Sequence, residues 1–273
     1  MSEKVGFIGL GNIGKPIAIN VHKAGHDLMV YDVRPEPLAE LKALGAKVAG
    51  SARDIGAFAD IIEFVVADDA QLEAATIAPG GVLETAKPGT ILAVHSTVLP
   101  STIHKVAKIA AERGVTVIDA QISGGASGAA AATLAYMCGG DKAAFDRCKP
   151  IFDKCGANIY HLGPLGAGAT TKLANNLIVY ITRLAAAEGM RLAEAGGIDL
   201  EKFTEVVHTS SGQSYVVDRW LKRSALRGGD KERPERLPNI IYKDLKLALA
   251  MGRELGLSLP AGALAQQSLD KIV

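Results

Sequence analysis

Along residues 4–161 the apolar positions fall in short unbroken runs, separated by stretches with helical spacing. Runs at 4–9, 27–31, 60–66, 90–94 and 115–119 predict buried strands, and 134–139 and 158–161 predict later ones. Between them, 12–24, 36–44, 69–75, 101–113 and 141–155 carry the three- and four-residue recurrence of amphipathic helices. Gly25 sits just past the first of these, where a helix-ending glycine belongs. Repetition of strand, helix and strand predicts parallel strands joined by right-handed crossovers.

Gly163-Pro164 marks a change of texture. From 166 to 194 runs one long Ala- and Leu-rich helical stretch, followed by helical patterns at 200–208, 215–221 and 240–255. No period-two alternation returns. The pattern therefore predicts an α/β domain with a mostly parallel sheet over 1–163, then an all-α domain over 164–273. The segment 227–236 is dense in charge, Gly and Pro and reads as an exposed loop. The final Ile272-Val273 falls within a helical pattern, which predicts that a tail belongs beyond it.

Composition narrows the classes of function. The net charge is +1 with acids and bases interleaved, and no basic stripe carries aromatics, so nothing points to nucleic acid or a membrane surface. The three cysteines have no metal-ligand spacing, and an odd number fits a reducing compartment better than a disulfide framework. The chain shows no basic leader, no apolar signal core and no membrane-spanning run, and the expectation is a cytoplasmic protein. No metal site is expected: His22 and His26 are four apart, but Gly25 between them ends the helix. Around Ser127 the serine-hydrolase pattern G-x-S-x-G fails at its last position.

Gly9-Leu10-Gly11-Asn12-Ile13-Gly14 matches G-x-G-x-x-G directly after a predicted strand and at the opening of a helix. Gly9 suits the tight turn, Gly11 a close backbone approach to a pyrophosphate, and Gly14 close helix–strand packing. The helix start offers N–H groups and partial positive charge to phosphates. Asp32 ends the second strand at the distance of a ribose-binding acid. These features predict a dinucleotide site, with NAD favoured; Arg34 keeps NADP open as a receptor for a 2′-phosphate.

Four further segments extend the pattern: Asp119-Ala120-Gln121-Ile122-Ser123-Gly124-Gly125-Ala126-Ser127-Gly128-Ala129, Gly166-Ala167-Gly168-Ala169-Thr170-Thr171-Lys172-Leu173-Ala174-Asn175-Asn176, His95-Ser96-Thr97 and Lys243-Asp244-Leu245. With the glycine loop, and in this order, they resemble the β-hydroxyacid dehydrogenases, the group of 3-hydroxyisobutyrate dehydrogenases and tartronate semialdehyde reductases. The resemblance implies a Rossmann-like N-terminal domain, a helical C-terminal domain and an active site in the cleft between them. It implies hydride transfer between NAD(H) and a small carboxylate-bearing 3-hydroxy acid or its semialdehyde, in a homodimer or homotetramer. It makes Lys172 the proton donor and acceptor, Asn176 a substrate holder, Thr97 a neighbour of the nicotinamide, and Lys243 a contact of cofactor and substrate. Departures are Gln121 and Ile122 where the family has proline and valine, and Ala132 where it has glycine.

The residues also carry plainer readings. Ser123-Gly124-Gly125 offers a hydroxyl and successive N–H groups to a carboxylate, or it is a loop needed only for its turn. Thr97 follows a strand's carboxyl end, where open parallel sheets bind ligands, and it also suits a helix N-cap. Lys172 and Lys243 have surface-lysine alternatives. Adjacent asparagines are poor helix formers, which points to a task other than stability. Two rival functions stand beside the dehydrogenase: an imine reductase on the same scaffold, whose members usually replace this lysine, and a dinucleotide-binding protein without catalysis.

Overall fold

The computed structural model describes residues 3–220 and 236–269. Among the described residues, eight strands form one sheet. They are β1 (Val5–Ile8), β2 (Leu28–Tyr31), β3 (Lys47–Val48), β4 (Ile61–Phe64), β5 (Ile91–Val94), β6 (Thr116–Ser123), β7 (Leu134–Gly139) and β8 (Gly156–His161). Their order is β3-β2-β1-β4-β5-β6-β7-β8. β1 lies between β2 and β4, so the chain reverses its winding direction there. Ligands bind beyond the carboxyl ends of the strands at such a switch point.

Both faces of the sheet are covered, which is why the strands read as unbroken apolar runs. On one face Val5, Phe7, Ile91 and Ala93 pack beneath α1 (Gly14–Lys23) and α7 (Lys142–Phe152), through Ile17, Val21, Phe145 and Phe152. On the other, Ile62, Phe64, Leu92 and Val94 meet α3 (Ala52–Phe58), α4 (Asp69–Thr76) and α5 (Pro100–Ala111), through Ile55, Leu72, Ile103 and Val106. The remaining helices of this half are α2 (Pro35–Ala43) and the short α6 (Gly125–Ala130).

The chain divides into two units, Met1–Lys172 and Leu173–Val273, and the division falls inside the long α8 (Ala167–Ala195). The second unit continues with α9 (Leu200–His208), α10 (Tyr215–Asp218), α11 (Arg236–Glu254) and α12 (Pro260–Gln267). Leu184, Ala187, Ile241, Leu245 and Ala265 form its buried centre.

The sheet is mostly parallel, as expected, with one antiparallel pair. β7 runs antiparallel to β6, with Asp119 opposite Gly139 and Ser123 opposite Ala135. Only the short α6 joins them, too little chain for a parallel crossover. β6 also runs on to Ser123, past the expected end at residue 119. β3, α3, α6, α12 and a 3-10 turn at Val82–Glu84 are additional elements. The helix expected at 215–221 is the single turn of α10, and Leu221 lies outside the described residues. So do the charged segment 227–235 and Ile272-Val273, while Arg236 opens α11.

Candidate functional site

The first unit carries its glycine loop directly after β1. Gly9 turns the chain at φ +96°, and a Cβ there would strike the carbonyl oxygen of Val65. A Cβ on Gly14 would strike the carbonyl oxygen of Gly9. At Gly11 nothing lies within 4 Å of the Cβ position. Two glycines are thus demanded by the fold, and the third leaves open space beside the backbone. Ile13 precedes α1, and no side chain caps the helix start. Asn12 is exposed beside it. An uncapped helix start beside open backbone fits a dinucleotide's phosphates.

Asp32 lies just past β2 and is buried. Its Oδ2 accepts the N–H of Leu10 at 2.6 Å, and its Oδ1 accepts the N–H of Arg34 at 2.8 Å and the Arg34 Nε at 3.1 Å. Burial pushes this carboxyl up, but the hydrogen bonds from Arg34 and Leu10 together outweigh it and hold the group below the ordinary aspartate value. Arg34 is held on its side by Asp32 and by the carbonyl oxygen of Leu10 at 3.2 Å. The acid and its arginine are therefore fixed against the glycine loop.

The alternate residues Asp119, Gln121 and Ser123 share one face of β6. Gln121 is fully buried, and its Nε2 donates to the carbonyl oxygens of Val94 and Ser96, both at 3.3 Å. Ser96 Oγ accepts the N–H of Val66 at 2.8 Å, joining the ends of β4 and β5. Half-buried Thr97 follows in this braced loop. It is not the N-cap of α5: that place belongs to Leu99, with Pro100 opening the helix. Ser123 ends β6, and Gly124 at φ +134° and Gly125 at φ +66° turn the exposed chain into α6.

Asp119 is fully buried, and it accepts the N–H groups of Gly166 at 2.7 Å and Ala169 at 2.8 Å. Burial pushes its carboxyl above the ordinary value despite these bonds. Lys172 stands half-buried in the second turn of the helix so anchored.

In the second unit Asn176 is buried one turn along α8 from Lys172. Its Nδ2 donates to Asp244 Oδ2 at 2.8 Å, and its Oδ1 accepts from Asn175 at 3.2 Å. Tyr180 donates its hydroxyl to the same Asp244 oxygen at 3.0 Å. Lys243 Nζ is 3.3 Å from Asp244 Oδ1, so Asn176 and Lys243 share one buried carboxylate.

The first unit thus gathers the glycine loop, Asp32 and Arg34, and it ties Gln121 to the segment before Thr97. The second gathers Asn176 and Lys243. Asp119, Gln121 and Asp244 are the residues that sequence reasoning left without a task. The available signal was polar side chains standing inside apolar stretches. Among the described residues no group of three or more metal-ligating side chains gathers, and no helix is long and apolar enough to cross a membrane. Burial pushes the thiols of Cys138 and Cys155 up to about 12, so neither is a nucleophile near neutrality.

Residues 4–163 match the model of the NAD binding domain of 6-phosphogluconate dehydrogenase. Residues 166–273 match that of the NAD-binding domain of NADP-dependent 3-hydroxyisobutyrate dehydrogenase. The 2-(hydroxymethyl)glutarate dehydrogenase of Eubacterium barkeri is 37% identical, with 98% of this chain and 89% of that protein covered. The NAD-dependent L-serine dehydrogenase of Pseudomonas aeruginosa is 35% identical, with 96% and 90% covered. A solved structure of Mycobacterium tuberculosis 3-hydroxyisobutyrate dehydrogenase with L-serine is 28% identical. It superposes with a TM-score of 0.87 over 99% of this chain and 94% of its own.

Proposed function

The chain belongs to the β-hydroxyacid dehydrogenase family of NAD(P)-dependent oxidoreductases, and from that premise we propose that it interconverts a small 3-hydroxy acid and its semialdehyde, with Lys172 as general acid and base. One observation carries this reading. On α8 a half-buried amine stands one turn before the Asn176 amide, which Asp244 holds in a fixed orientation.

Chemistry common to the relatives' names supports the substrate class. 2-(Hydroxymethyl)glutarate, L-serine and 3-hydroxyisobutyrate are all 3-hydroxypropanoates that differ in the substituent on C2. Ser123 with the N–H groups at Gly124 and Gly125 would receive the shared carboxylate. Asn176 would hold the hydroxyl oxygen: its amide nitrogen carries two hydrogens, and Asp244 takes one. Lys172 would take the hydroxyl proton in oxidation and return it in reduction. The one histidine of the family segments, His95, is buried with its Nδ1 against the Ala120 carbonyl oxygen at 2.7 Å, and none occurs in the segments 9–14, 119–129, 166–176 or 243–245, which favours lysine as the proton carrier.

The backbone at Gly9, Gly11, Asn12, Ile13 and Gly14 would hold the pyrophosphate, and Asp32 the ribose hydroxyls. Thr97 would neighbour the nicotinamide, and Lys243 is proposed as a further cofactor contact. A bound nicotinamide would supply the hydride chemistry, taking a hydride from the carbinol carbon in oxidation and giving one to the aldehyde carbon in reduction. We propose NAD over NADP, since a 2′-phosphate would meet the Asp32 carboxylate while Arg34 is engaged by that same group. A preference of roughly a hundredfold is expected, about 2.7 kcal/mol. A homodimer or homotetramer formed through the second unit is proposed as well, where Leu192 and Val206 are exposed. The buried free thiols suit the cytoplasm.

The test is NADH oxidation and NAD+ reduction against a panel: 3-hydroxypropanoate, 3-hydroxyisobutyrate, L-serine, 2-(hydroxymethyl)glutarate, their semialdehydes where stable, and a cyclic imine. Lys172→Ala should cut single-turnover hydride transfer by at least ~100-fold with cofactor saturating. Lys172→Arg should fare little better, because a guanidinium does not release its proton near neutrality. A Lys172→Ala enzyme that kept most of its rate would move the acid–base role to Lys243. Turnover of the imine alone would overturn the substrate class.

A further inference from the structure

The first N–H groups of an α-helix have no partner within the helix and need one from elsewhere. At the start of α8 the partner comes from a distant strand. Asp119 lies in the middle of β6, 47 residues before Gly166, and both its oxygens accept N–H groups there: Gly166 just before the helix and Ala169 within its first turn. The surroundings are cut to admit this contact. Gly139 faces Asp119 across the ladder, and a Cβ there would come within 2.7 Å of Asp119 Oδ1 and 2.6 Å of the Pro164 carbonyl oxygen. A Cβ on Gly168 would lie 2.9 Å from Asp119 Oδ2 and would strike the carbonyl oxygen of Met137. Gly166 itself takes φ +90°, a conformation that side chains disfavour. Three positions around one carboxylate thus have no side chain.

Burial outweighs the N–H bonds at Asp119 and leaves the carboxyl above its ordinary value, so ionising it inside the fold is costly. A group kept at such a cost serves placement better than it serves stability. What it places is visible along the two elements it joins. Ser123 lies four residues further along the same face of β6, about 13 Å away at ~3.3 Å per residue. Lys172 lies three residues beyond Ala169 on the same side of α8.

We propose that Asp119 is a positioning residue for Lys172: it sets where α8 begins, and thereby the placement of the amine relative to Ser123. This rests on the reading of Lys172 as the acid–base group. A helix that started one residue later would turn the amine by about 100° and shift it by about 1.5 Å. Misplacement on that scale is worth about a hundredfold in rate.

The test is a double-mutant cycle on the full chain, with Asp119→Asn, Lys172→Ala and the pair. The readouts are single-turnover hydride transfer, using the panel substrate of highest turnover, and the dissociation constant of NADH. Asn keeps the size of Asp119 and one acceptor, but it turns an NH2 toward the second N–H. Asp119→Asn should slow hydride transfer ~10- to 100-fold and leave NADH affinity within about twofold. The pair should be no slower than Lys172→Ala alone, because a group that acts through the amine has nothing left to act on. Losses that multiply in the pair, or an Asp119→Asn enzyme of normal rate beside an inactive Lys172→Ala, would overturn the inference and leave the lysine reading intact. A Lys172→Ala enzyme of normal rate would overturn both, and it is read from that single variant alone. Should Asp119→Asn fail to fold, the smaller Asp119→Ser keeps one acceptor for the two N–H groups, and the same cycle applies.

Discussion

Two aspartates in the first unit, one just past β2 and one within β6, solve opposite problems with the same side chain. Asp32 lies at the rim beyond β2, beside an arginine whose side chain is 46% exposed. Asp119 lies inside β6 with no exposure at all, and hydrogen-bonds to backbone N–H groups. The first is held below the ordinary carboxylate value and the second above it. A charge-assisted partner near water lets a carboxylate stay ionised and ready for a ligand. Backbone dipoles in the interior hold the other in place without repaying its desolvation. Position, more than residue type, separates the two.

Removing each carboxylate is the strongest way to break this comparison. Asp119→Ala strands two buried N–H groups and should cost about 2–4 kcal/mol of unfolding free energy, at about 1–3 kcal/mol per orphaned donor before relaxation. Asp32→Ala should cost less than about 2 kcal/mol, since Arg34 can turn to water. Urea denaturation of both proteins decides it, and equal losses would erase the distinction. Asp32→Ala should act on the cofactor instead, narrowing the NAD preference by at least ~10-fold, about 1.4 kcal/mol. Fluorescence titration of NADH and NADPH would show it, with Asp119→Asn as the unaffected control.

The smallest effect is in the response to pH, where the two signs differ. Asp32 is depressed in the fold, so its contribution is present above the unfolded-state value and is lost as pH falls through the folded value. Asp119 is raised, so its contribution is full below the unfolded-state value and is lost as pH rises through the folded one. Melting temperatures between pH 3 and 6 should therefore fall less steeply on acidification for Asp32→Asn than for the unaltered chain. For Asp119→Asn they should rise more steeply with pH just above the ordinary aspartate range. Parallel curves for all three proteins would contradict the assignment.

The alternation of strands and helices was legible because both faces of the sheet are covered, and buried strands read as plain apolar runs. The glycine loop was legible because Gly9 and Gly14 are imposed by sterics that the motif encodes. β3 escaped because two residues form no period. The extension of β6 escaped because Asp119, Gln121 and Ser123 put polar groups where a strand interior should be apolar. That polarity is satisfied by Gly166, Ala169 and the Val94 and Ser96 carbonyls, partners that only the tertiary fold supplies. Asp244 was hidden for the same reason. Beside Lys243 it reads as half of a surface ion pair, whereas in the fold it is the common anchor of Asn176 and Tyr180.

The side-chain amide of Asn20, on α1, donates to the carbonyl oxygen of Ala129 on α6 at 2.8 Å. The helix that opens the glycine loop is thereby fastened to the helix that follows Ser123-Gly124-Gly125. If the dinucleotide and the carboxylate bind at these two loops as proposed, an ordering of α1 by the first would lower the ordering cost left for the second. Reciprocity would then require the same factor in the other direction: a carboxylate at Gly124 and Gly125 would tighten the dinucleotide equally.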